Sequence, residues 1–159
     1  MTFFTADLCD QYNDRVSLLG PGYRNYGGAD KFEGEIVTMK LDRANTDLVN
    51  LLRDVDGTGK VVVVDSDQAY FAIVGEMLMK FSEQNHYAGI VLNGYVRDTV
   101  QIADIPVGLY AFGTCSWKYM QPIAGEQSVP LNFGGVEFKP GAYLYADADG
   151  VIVTDEKIV

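Results

Sequence analysis

The residues with the clearest capacity for chemistry in this chain are Arg97 and Asp98, which end the segment VLNGYVRD at residues 91–98. A guanidinium group can hold a small carboxylate through two parallel hydrogen bonds, and a carboxylate is a hard oxygen ligand that suits Mg²⁺. The same two residues could instead form an exposed ion pair in a loop, which would contribute little. Their spacing alone leaves both alternatives open.

A second candidate group is the segment GEML, where Gly75 interrupts an otherwise helical pattern. If a helix starts anew at Gly75, the backbone N–H groups of Met77 and Leu78 lack partners within the helix. Unpaired amides at a helix start bind carboxylates well, so these two and Arg97 could together hold a small carboxylic acid. The simpler alternative is that Gly75 only lets another element pack closely.

A divalent metal would complete this chemistry. Asp98 and Glu76 offer hard oxygen ligands for a Mg²⁺ ion that keeps most of its water. A metal beside a bound 2-oxo acid polarises the carbonyl group and stabilises the enolate that forms when the neighbouring C–C bond breaks. The alternative for Glu76 is an exposed helix residue with no role in binding.

The elements that must position these residues form a predicted βαβ unit. The unbroken apolar run KVVVVD at 60–65 predicts a strand buried on both faces, and AGIVLNG at 88–94 predicts a second one. Between them, apolar spacing predicts a helix over 68–86. An earlier helix is predicted over 46–57, with Thr46 as its N-cap.

The rest of the chain is predicted to be rich in antiparallel strands. KFEGEIVTMKL at 31–41 predicts a strand, and alternating segments at 107–113, 129–138 and 143–153 predict hairpins. Their turns are expected at Gly134-Gly135 and at Asp149-Gly150. The sequence therefore predicts an α/β fold with a βαβ core, mixed sheets and C-terminal hairpins.

Ligands of open α/β sheets bind beyond the carboxyl ends of the strands. The first strand of the βαβ unit ends in Asp65, Ser66 and Asp67, and the second leads to Arg97 and Asp98. If the two strands are neighbours, we expect both loops to face one crevice.

Composition excludes several classes of function. The 159 residues suit one domain, 1–159, and the net charge of −10 argues against a nucleic-acid surface. The chain has one histidine, His86, and two distant cysteines, Cys9 and Cys115, which disfavours a zinc site or a histidine-based triad. Without a secretory leader or a membrane-length apolar run, we expect a cytoplasmic protein.

Several segments together resemble the RraA family. They are ADLCDQY near the N-terminus, NYGG, FEGEIVTMK, the stretch from KVVVVD through GEMLMKFSEQNHYAGIVLNGYVRD, then LNFGG and PGAYLYADADGVIV. The resemblance spans nearly the whole chain. It implies a swivelling β/β/α domain, similar to phosphohistidine domains, that assembles as a homotrimer with clefts between subunits.

The resemblance implies one of two functions. One branch of the family comprises class II aldolases that cleave 4-hydroxy-4-methyl-2-oxoglutarate and decarboxylate oxaloacetate with Mg²⁺ or Mn²⁺. By this resemblance Gly75, Met77, Leu78 and Arg97 hold pyruvate, and Asp98 binds the metal. Glu76 contacts the metal through water. The other branch comprises regulators that bind RNase E and DEAD-box RNA helicases. A methyltransferase label also used in the family finds no glycine-rich nucleotide loop here.

The sequence departs from the aldolase pattern at two positions. An acid that follows the Arg-Asp pair is replaced by Gln101, and a glycine-rich loop is replaced by Ser66-Asp67-Gln68. A neutral amide cannot supply a negative charge to metal-bound water. We expect these changes to weaken turnover more than binding, unless Asp67 supplies the missing carboxylate. The longer aldolases also have C-terminal sequence that this chain lacks.

Overall fold

The computed structural model describes residues 2–159, which form four helices and twelve strands. The helices are α1 (Thr5–Gln11), α2 (Thr46–Asp54), α3 (Glu76–Gln84) and α4 (Thr99–Ile102). The strands are β1 (Ser17–Leu18), β2 (Arg24–Asn25), β3 (Phe32–Lys40), β4 (Lys60–Asp65), β5 (Ala72–Val74), β6 (Gly89–Val96), β7 (Gly108–Thr114), β8 (Glu126–Gln127), β9 (Leu131–Phe133), β10 (Val136–Phe138), β11 (Tyr143–Asp147) and β12 (Gly150–Thr154). No helix within this part of the chain is long and apolar enough to cross a membrane.

Ten strands form one mixed sheet, with the order β1-β12-β11-β3-β4-β6-β7-β2. Strands β3, β4, β6 and β7 run parallel to one another, whereas the strands that flank this group are antiparallel. Short β5 extends along the end of β6, and β8 pairs with β3. The predicted α/β class, the βαβ unit and the mixed pairing are confirmed, since β4 and β6 are adjacent and parallel on either side of α3.

The central strands separate two apolar cores. Val62 and Val64 pack with the helices, whereas Val61 and Val63 pack with the hairpin of β9 and β10. All four valines are fully buried, which confirms that β4 is covered on both faces. Side chains alternate across a strand, so an unbroken valine run supplies both cores at once.

The helix predicted over 68–86 is wrong in its first half. Residues 72–74 form β5, and only Glu76–Gln84 are helical, with Gly75 as the N-cap. Ala72, Ile73 and Val74 are all buried, and β5 pairs in parallel with β6 at Tyr95 and Val96. This sheet contact overrides the helical spacing, because three consecutive buried residues do not fit one face of a helix.

Two of the three predicted hairpins are confirmed. β9 and β10 join through Gly134 and Gly135, whose positive φ values of 59° and 78° suit a two-residue turn. β11 and β12 also pair, with Ala148 and Asp149 between the paired ends, one residue earlier than predicted. The segment 107–113 was wrongly predicted as a hairpin: β7 is parallel to β6 and antiparallel to β2, because its partner β2 comes from the N-terminal third of the chain.

Candidate functional site

Strands β5 and β6 end side by side and bring the two candidate segments together. Gly75 and α3 follow β5, whereas Arg97, Asp98 and α4 follow β6. The Arg97 amide donates to the Val74 carbonyl over 2.9 Å, which fixes one strand end against the other. The predicted meeting of GEML with the Arg-Asp pair is therefore present in the structure.

Gly75 and Asp98 are in direct contact. The Glu76 amide, which follows Gly75, donates to Asp98 Oδ2 over 2.9 Å. A Cβ atom at Gly75 would lie 2.6 Å from the same oxygen, closer than real Cβ atoms come to any neighbour. The φ of Gly75 is −143°, in the extended region open to every residue. Glycine is therefore needed here for the space that the carboxylate occupies.

The backbone of Asp98 is held in a conformation that few side chains adopt. Its φ of 62° and ψ of 38° lie in the left-handed region. A non-glycine residue in that region stores strain, and such residues concentrate at functional sites. In this conformation the Asp98 carboxylate lies at the start of α3, where Oδ2 accepts a hydrogen bond from the Glu76 amide. Within residues 2–159, Oδ1 accepts no hydrogen bond.

The first turn of α3 offers unpaired donors. Gly75 provides no side-chain cap, and within the described chain the amides of Met77 and Leu78 have no acceptor. The positive end of the helix dipole adds to their attraction for an anion. The predicted freeing of these two amides is confirmed in its geometry, although the helix begins at Glu76 after a strand.

Arg97 is also available to a ligand. Its Nη1 atom donates to the Ser116 carbonyl over 3.3 Å, and the guanidinium makes no ion pair with any acid in residues 2–159. Arg97 and Asp98 are therefore not the salt-bridged pair that the sequence left open. A guanidinium held by one carbonyl retains donors for a carboxylate.

These groups line one small cavity of about 50 Å³. Its wall includes Gly75, the first turn of α3, Arg97 and Asp98. A larger cavity of about 610 Å³ lies between residues 18–30 and the turn between β11 and β12. We place the candidate site in the small cavity because its wall contains both the unpaired donors and Asp98, whose backbone is strained.

Two further polar residues, which the sequence did not indicate, line the cavity. Asn45 is buried and its Nδ2 donates to the Ile73 carbonyl over 2.7 Å. Asn45, and not the predicted Thr46, precedes α2 as the N-cap residue, and its side chain ties that helix to β5. The second residue is Lys118, in the loop after β7. No periodic sequence pattern there predicts a contact with the site.

Glu76 lines the cavity and forms an ion pair along α3. Its Oε2 lies 3.5 Å from Lys80 Nζ, one turn along α3, and the side chain is 41% exposed. The ion pair is an ordinary helix-surface contact. A contact of Glu76 with a metal through water stays a prediction.

The loop at 65–68 does not join the cavity. β4 and β6 are neighbours, as expected, but Asp65 pairs with Asn93, five residues before Asp98. Asp65 accepts from Asn93 Nδ2 at 3.0 Å and from Lys40 Nζ at 3.1 Å. In the described chain, the wall of the Asp98 cavity includes none of residues 65–68, so this loop contributes nothing to that cavity. β5 lies beside the C-terminal end of β6 instead, where it pairs with Tyr95 and Val96.

The substitutions at the two departure positions have different surroundings. Asp67 and Gln68 have φ values of 55° and 54°, a conformation that glycine adopts more easily. Gln68 Nε2 donates to Asn93 Oδ1 over 3.0 Å, which holds this loop to β6. Gln101 lies exposed on α4, three residues after Asp98.

Comparison with known proteins identifies the family. The family model described as RraA-like, Aldolase/RraA, matches residues 5–153. The chain belongs to the RraA-like family. A relative from Laribacter hongkongensis (strain HLHK9), named "Putative 4-hydroxy-4-methyl-2-oxoglutarate aldolase", is 39% identical, and the match covers 100% of each chain.

Solved structures share the fold of this RraA-like protein. The RNA-processing inhibitor RraA from Thermus thermophilis superposes with a TM-score of 0.93 at 32% identity, covering 100% of this chain and 96% of that one. A structure from Geobacillus kaustophilus HTA426, described as S-adenosylmethionine: 2-dimethylmenaquinone methyltransferase, also gives 0.93, at 37% identity over 98% and 97% of the chains. The expected family and fold are therefore confirmed.

The comparisons also bear on chain length. The longer aldolases were expected to extend beyond this C-terminus, and the Laribacter relative, which is also named as an aldolase, matches this chain from end to end. Length therefore does not separate the two branches for this RraA-like chain.

The donor set of the cavity fits a hard divalent cation. Within residues 2–159 no three histidine, cysteine or acidic side chains gather as a metal cluster. Asp98 Oδ1 accepts no hydrogen bond in the described chain and is therefore open to a metal ion. One carboxylate suits Mg²⁺ or Mn²⁺, ions that retain water and also take oxygens from a substrate, better than it suits a fully protein-ligated metal.

Proposed function

We propose that this RraA-like protein is a lyase that uses Mg²⁺ or Mn²⁺ and acts on 2-oxo acids through Arg97 and Asp98. Its reaction is the aldol cleavage of 4-hydroxy-4-methyl-2-oxoglutarate or the decarboxylation of oxaloacetate. The observation that carries the proposal is one cavity lined by Met77 and Leu78, whose amides are unpaired in the described chain, and by Arg97 and Asp98. Relatives named as aldolases of that substrate support it.

The chain's own groups have distinct parts in this reaction. Arg97 and the two amides bind the C1 carboxylate of the substrate, so they orient the adjacent carbonyl and the bond to be broken. Asp98 would hold the metal through Oδ1, and Glu76 would contact it through water. When bound, the metal would supply a Lewis acid for the C2 carbonyl.

Both substrates then react by the same bond cleavage. The bond between C3 and C4 breaks, and its electron pair moves to C3 to give the enolate of pyruvate. In the aldol case the C4 hydroxyl loses its proton and becomes the carbonyl of a second pyruvate. In the decarboxylation the C4 carboxylate leaves as CO₂. A proton added at C3 completes pyruvate in both cases.

The test is pyruvate release from each substrate, with Mg²⁺ or Mn²⁺ and after chelation. Asp98→Asn is the sharpest variant, because its amide oxygen still accepts the Glu76 amide while the negative charge is lost. We expect the variant to retain the wild-type melting temperature and to lose metal-dependent turnover by about a hundredfold or more. A wild-type protein without a metal-dependent rate would exclude the lyase.

We also propose that the chain works as a homotrimer. Large apolar side chains are exposed on the segments that surround the site: Tyr70, Met77, Val100, Trp117 and Met120. Val100, on α4, is 85% exposed, and exposed apolar patches often mark subunit interfaces. A catalytic site also works better when water is excluded from it. A neighbouring subunit packed on this surface would supply that cover.

Light scattering tests the assembly directly. The expected mass is three times the 17.5 kDa of one chain. Val100→Asp should yield monomers, whereas the matched control Val55→Asp, at an apolar residue after α2 that is 50% exposed, should leave the trimer intact. A monomeric wild-type protein would contradict the proposal.

A second candidate function is regulation of RNA processing by binding RNase E and DEAD-box helicases. The specific support is the whole-chain similarity to the Thermus protein described as an RNA-processing inhibitor. The net charge of −10 would suit the basic segments of an RNA-binding enzyme. In a pull-down we expect binding of RNase E that weakens with salt. Absence of binding at low salt would exclude this function, whatever the outcome of the lyase assay.

A further inference from the structure

Lys118 is a cation at the cavity without a partner. Four charged residues line the wall: Glu76, Arg97, Asp98 and Lys118. Glu76 pairs with Lys80, and Asp98 accepts the Glu76 amide. Lys118 is partly buried, yet within residues 2–159 it makes no ion pair, side-chain hydrogen bond or aromatic contact.

The backbone holds Lys118 in place beside the site. Immediately before it, the Trp117 carbonyl accepts the Ala72 amide over 2.7 Å, which ties the loop to β5. The Cys115 amide donates to the Val96 carbonyl over 2.9 Å, and the Ser116 carbonyl accepts Arg97 Nη1. Cys115 and Trp117 are thus bound to the two strands that end at the cavity, and Ser116 is bound to the Arg97 side chain. These contacts hold the backbone before Lys118 beside the site.

Charge balance shows what such a cation would bind. Both substrates of the proposed lyase are dicarboxylates, and Arg97 with the α3 amides accounts for only one carboxylate. The second would face Asp98 and Glu76 in a chain that carries a net charge of −10. An ammonium group on a flexible stem can follow a carboxylate at a variable distance, and it lowers this repulsion.

We propose that Lys118 binds the distal carboxylate and so makes the site selective for dicarboxylic over monocarboxylic 2-oxo acids. The inference rests on the proposed function, because it assumes that the first carboxylate lies on Arg97. Lys118 binds the part of the substrate beyond the C3–C4 bond, which leaves in the reaction. Arg97 binds the part that becomes the enolate.

The chain contains its own probe for this binding. Trp117 is the only tryptophan, it is 73% exposed, and it precedes Lys118 directly. Its fluorescence can be titrated with pyruvate and with 2-oxoglutarate in the presence of Mg²⁺. The second ligand has both carboxylates but neither the C4 hydroxyl nor a carboxylate positioned for decarboxylation, so it should bind without reacting.

Lys118→Gln should raise the Kd for 2-oxoglutarate by about tenfold or more, the effect of one charge-assisted hydrogen bond. The Kd for pyruvate should stay unchanged, and Lys118→Arg should recover part of the loss. The KM for oxaloacetate should rise with the 2-oxoglutarate Kd. Lys139→Gln removes the same charge from the β10 side of the molecule, beside Glu137, and should change neither Kd.

Equal weakening of both ligands, or no change in either, would overturn the role of Lys118. Failure of the proposed function gives a different result. In that case the wild-type protein would release no pyruvate from oxaloacetate, whereas a Lys118-dependent preference for the dicarboxylate would still be visible by fluorescence.

Discussion

At the scale of single residues, the site depends on the contact between Gly75 and Asp98. The carboxylate occupies the space that a side chain at position 75 would fill, and the left-handed backbone of Asp98 keeps it there. A larger residue at position 75 displaces the carboxylate, and a residue without an oxygen at position 98 leaves the Glu76 amide without its acceptor.

Gly75→Ala should therefore damage activity more than folding. The added methyl group would meet Asp98 Oδ2 at 2.6 Å, so the carboxylate must move. We expect a loss of about 1–3 kcal/mol in the free energy of unfolding, typical of overpacking. We also expect turnover to fall about a hundredfold, as for an ångström-scale displacement of a catalytic group. Urea denaturation and oxaloacetate decarboxylation measure the two effects.

Gly150→Ala is the matched control for this change. A Cβ atom at Gly150 would lie 3.4 Å from its nearest neighbour, an ordinary contact with Leu18. The variant should leave both the stability and the turnover near wild type. Equal turnover in the Gly75→Ala and wild-type proteins would show that the position of the Asp98 carboxylate does not matter.

At the scale of elements, α3 serves the site through its first turn. Its buried residues, Leu78, Met79 and Ser82, hold it against the sheet, whereas its first amides face the cavity. Strand β5 leads directly into α3 through Gly75. Asn45, which precedes α2, donates a hydrogen bond to β5. The donors are thus held by two helices and a strand, so little ordering is required when an anion binds.

Met77→Pro would remove one of these donors selectively. Proline is tolerated in the first turn of a helix, where the N–H has no intrahelical partner. We expect the Kd for pyruvate to rise about tenfold through the loss of one hydrogen bond to a charged group. The Met77→Ala control should retain the wild-type Kd because its amide remains. Fluorescence titration gives both values, and a Kd equal to wild type in the proline variant would contradict a role for this amide.

At the scale of the whole molecule, the central strands of one sheet separate two apolar cores, and two buried tyrosines donate to carbonyls of distant segments. Tyr87 donates to the Val55 carbonyl over 2.8 Å, and Tyr110 donates to the Asp147 carbonyl. Burial, followed by the charge of Asp56, raises the pKa of Tyr87 to about 12. Burial, followed by the charges of Asp147 and Asp149, raises the pKa of Tyr110 to about 12.

These shifts predict a loss of stability at alkaline pH. The folded-state pKa of each tyrosine lies above its ordinary value of 10. Their contribution is therefore complete below pH 10 and is lost as the pH rises from about 10 through 12. Urea denaturation at a series of pH values should show this decline. Tyr110→Phe should be less stable at neutral pH but decline less steeply, and parallel curves for the two proteins would contradict the assignment.

The sequence by itself determined the local features whose causes lie nearby in the chain. The valine run of β4, the glycine turn between β9 and β10, and the helical core of α3 each follow from neighbouring residues, and all three are present. Arg97, Asp98, Met77 and Leu78 were also predicted from their types and order, and the structure brings them to one cavity. The roles that the resemblance to the RraA family implies for them stay predictions.

The tertiary structure decided the features that depend on distant partners. Residues 72–74 are a strand because β6 lies beside them, although the apolar spacing of the wider segment 68–86 predicted a helix. β7 is parallel because its neighbours come from distant parts of the chain. Asn45 and Lys118 meet the cavity only once α2 and the loop after β7 are packed. Sequence spacing reports what neighbouring residues favour, whereas a cavity is built from residues that only folding brings together.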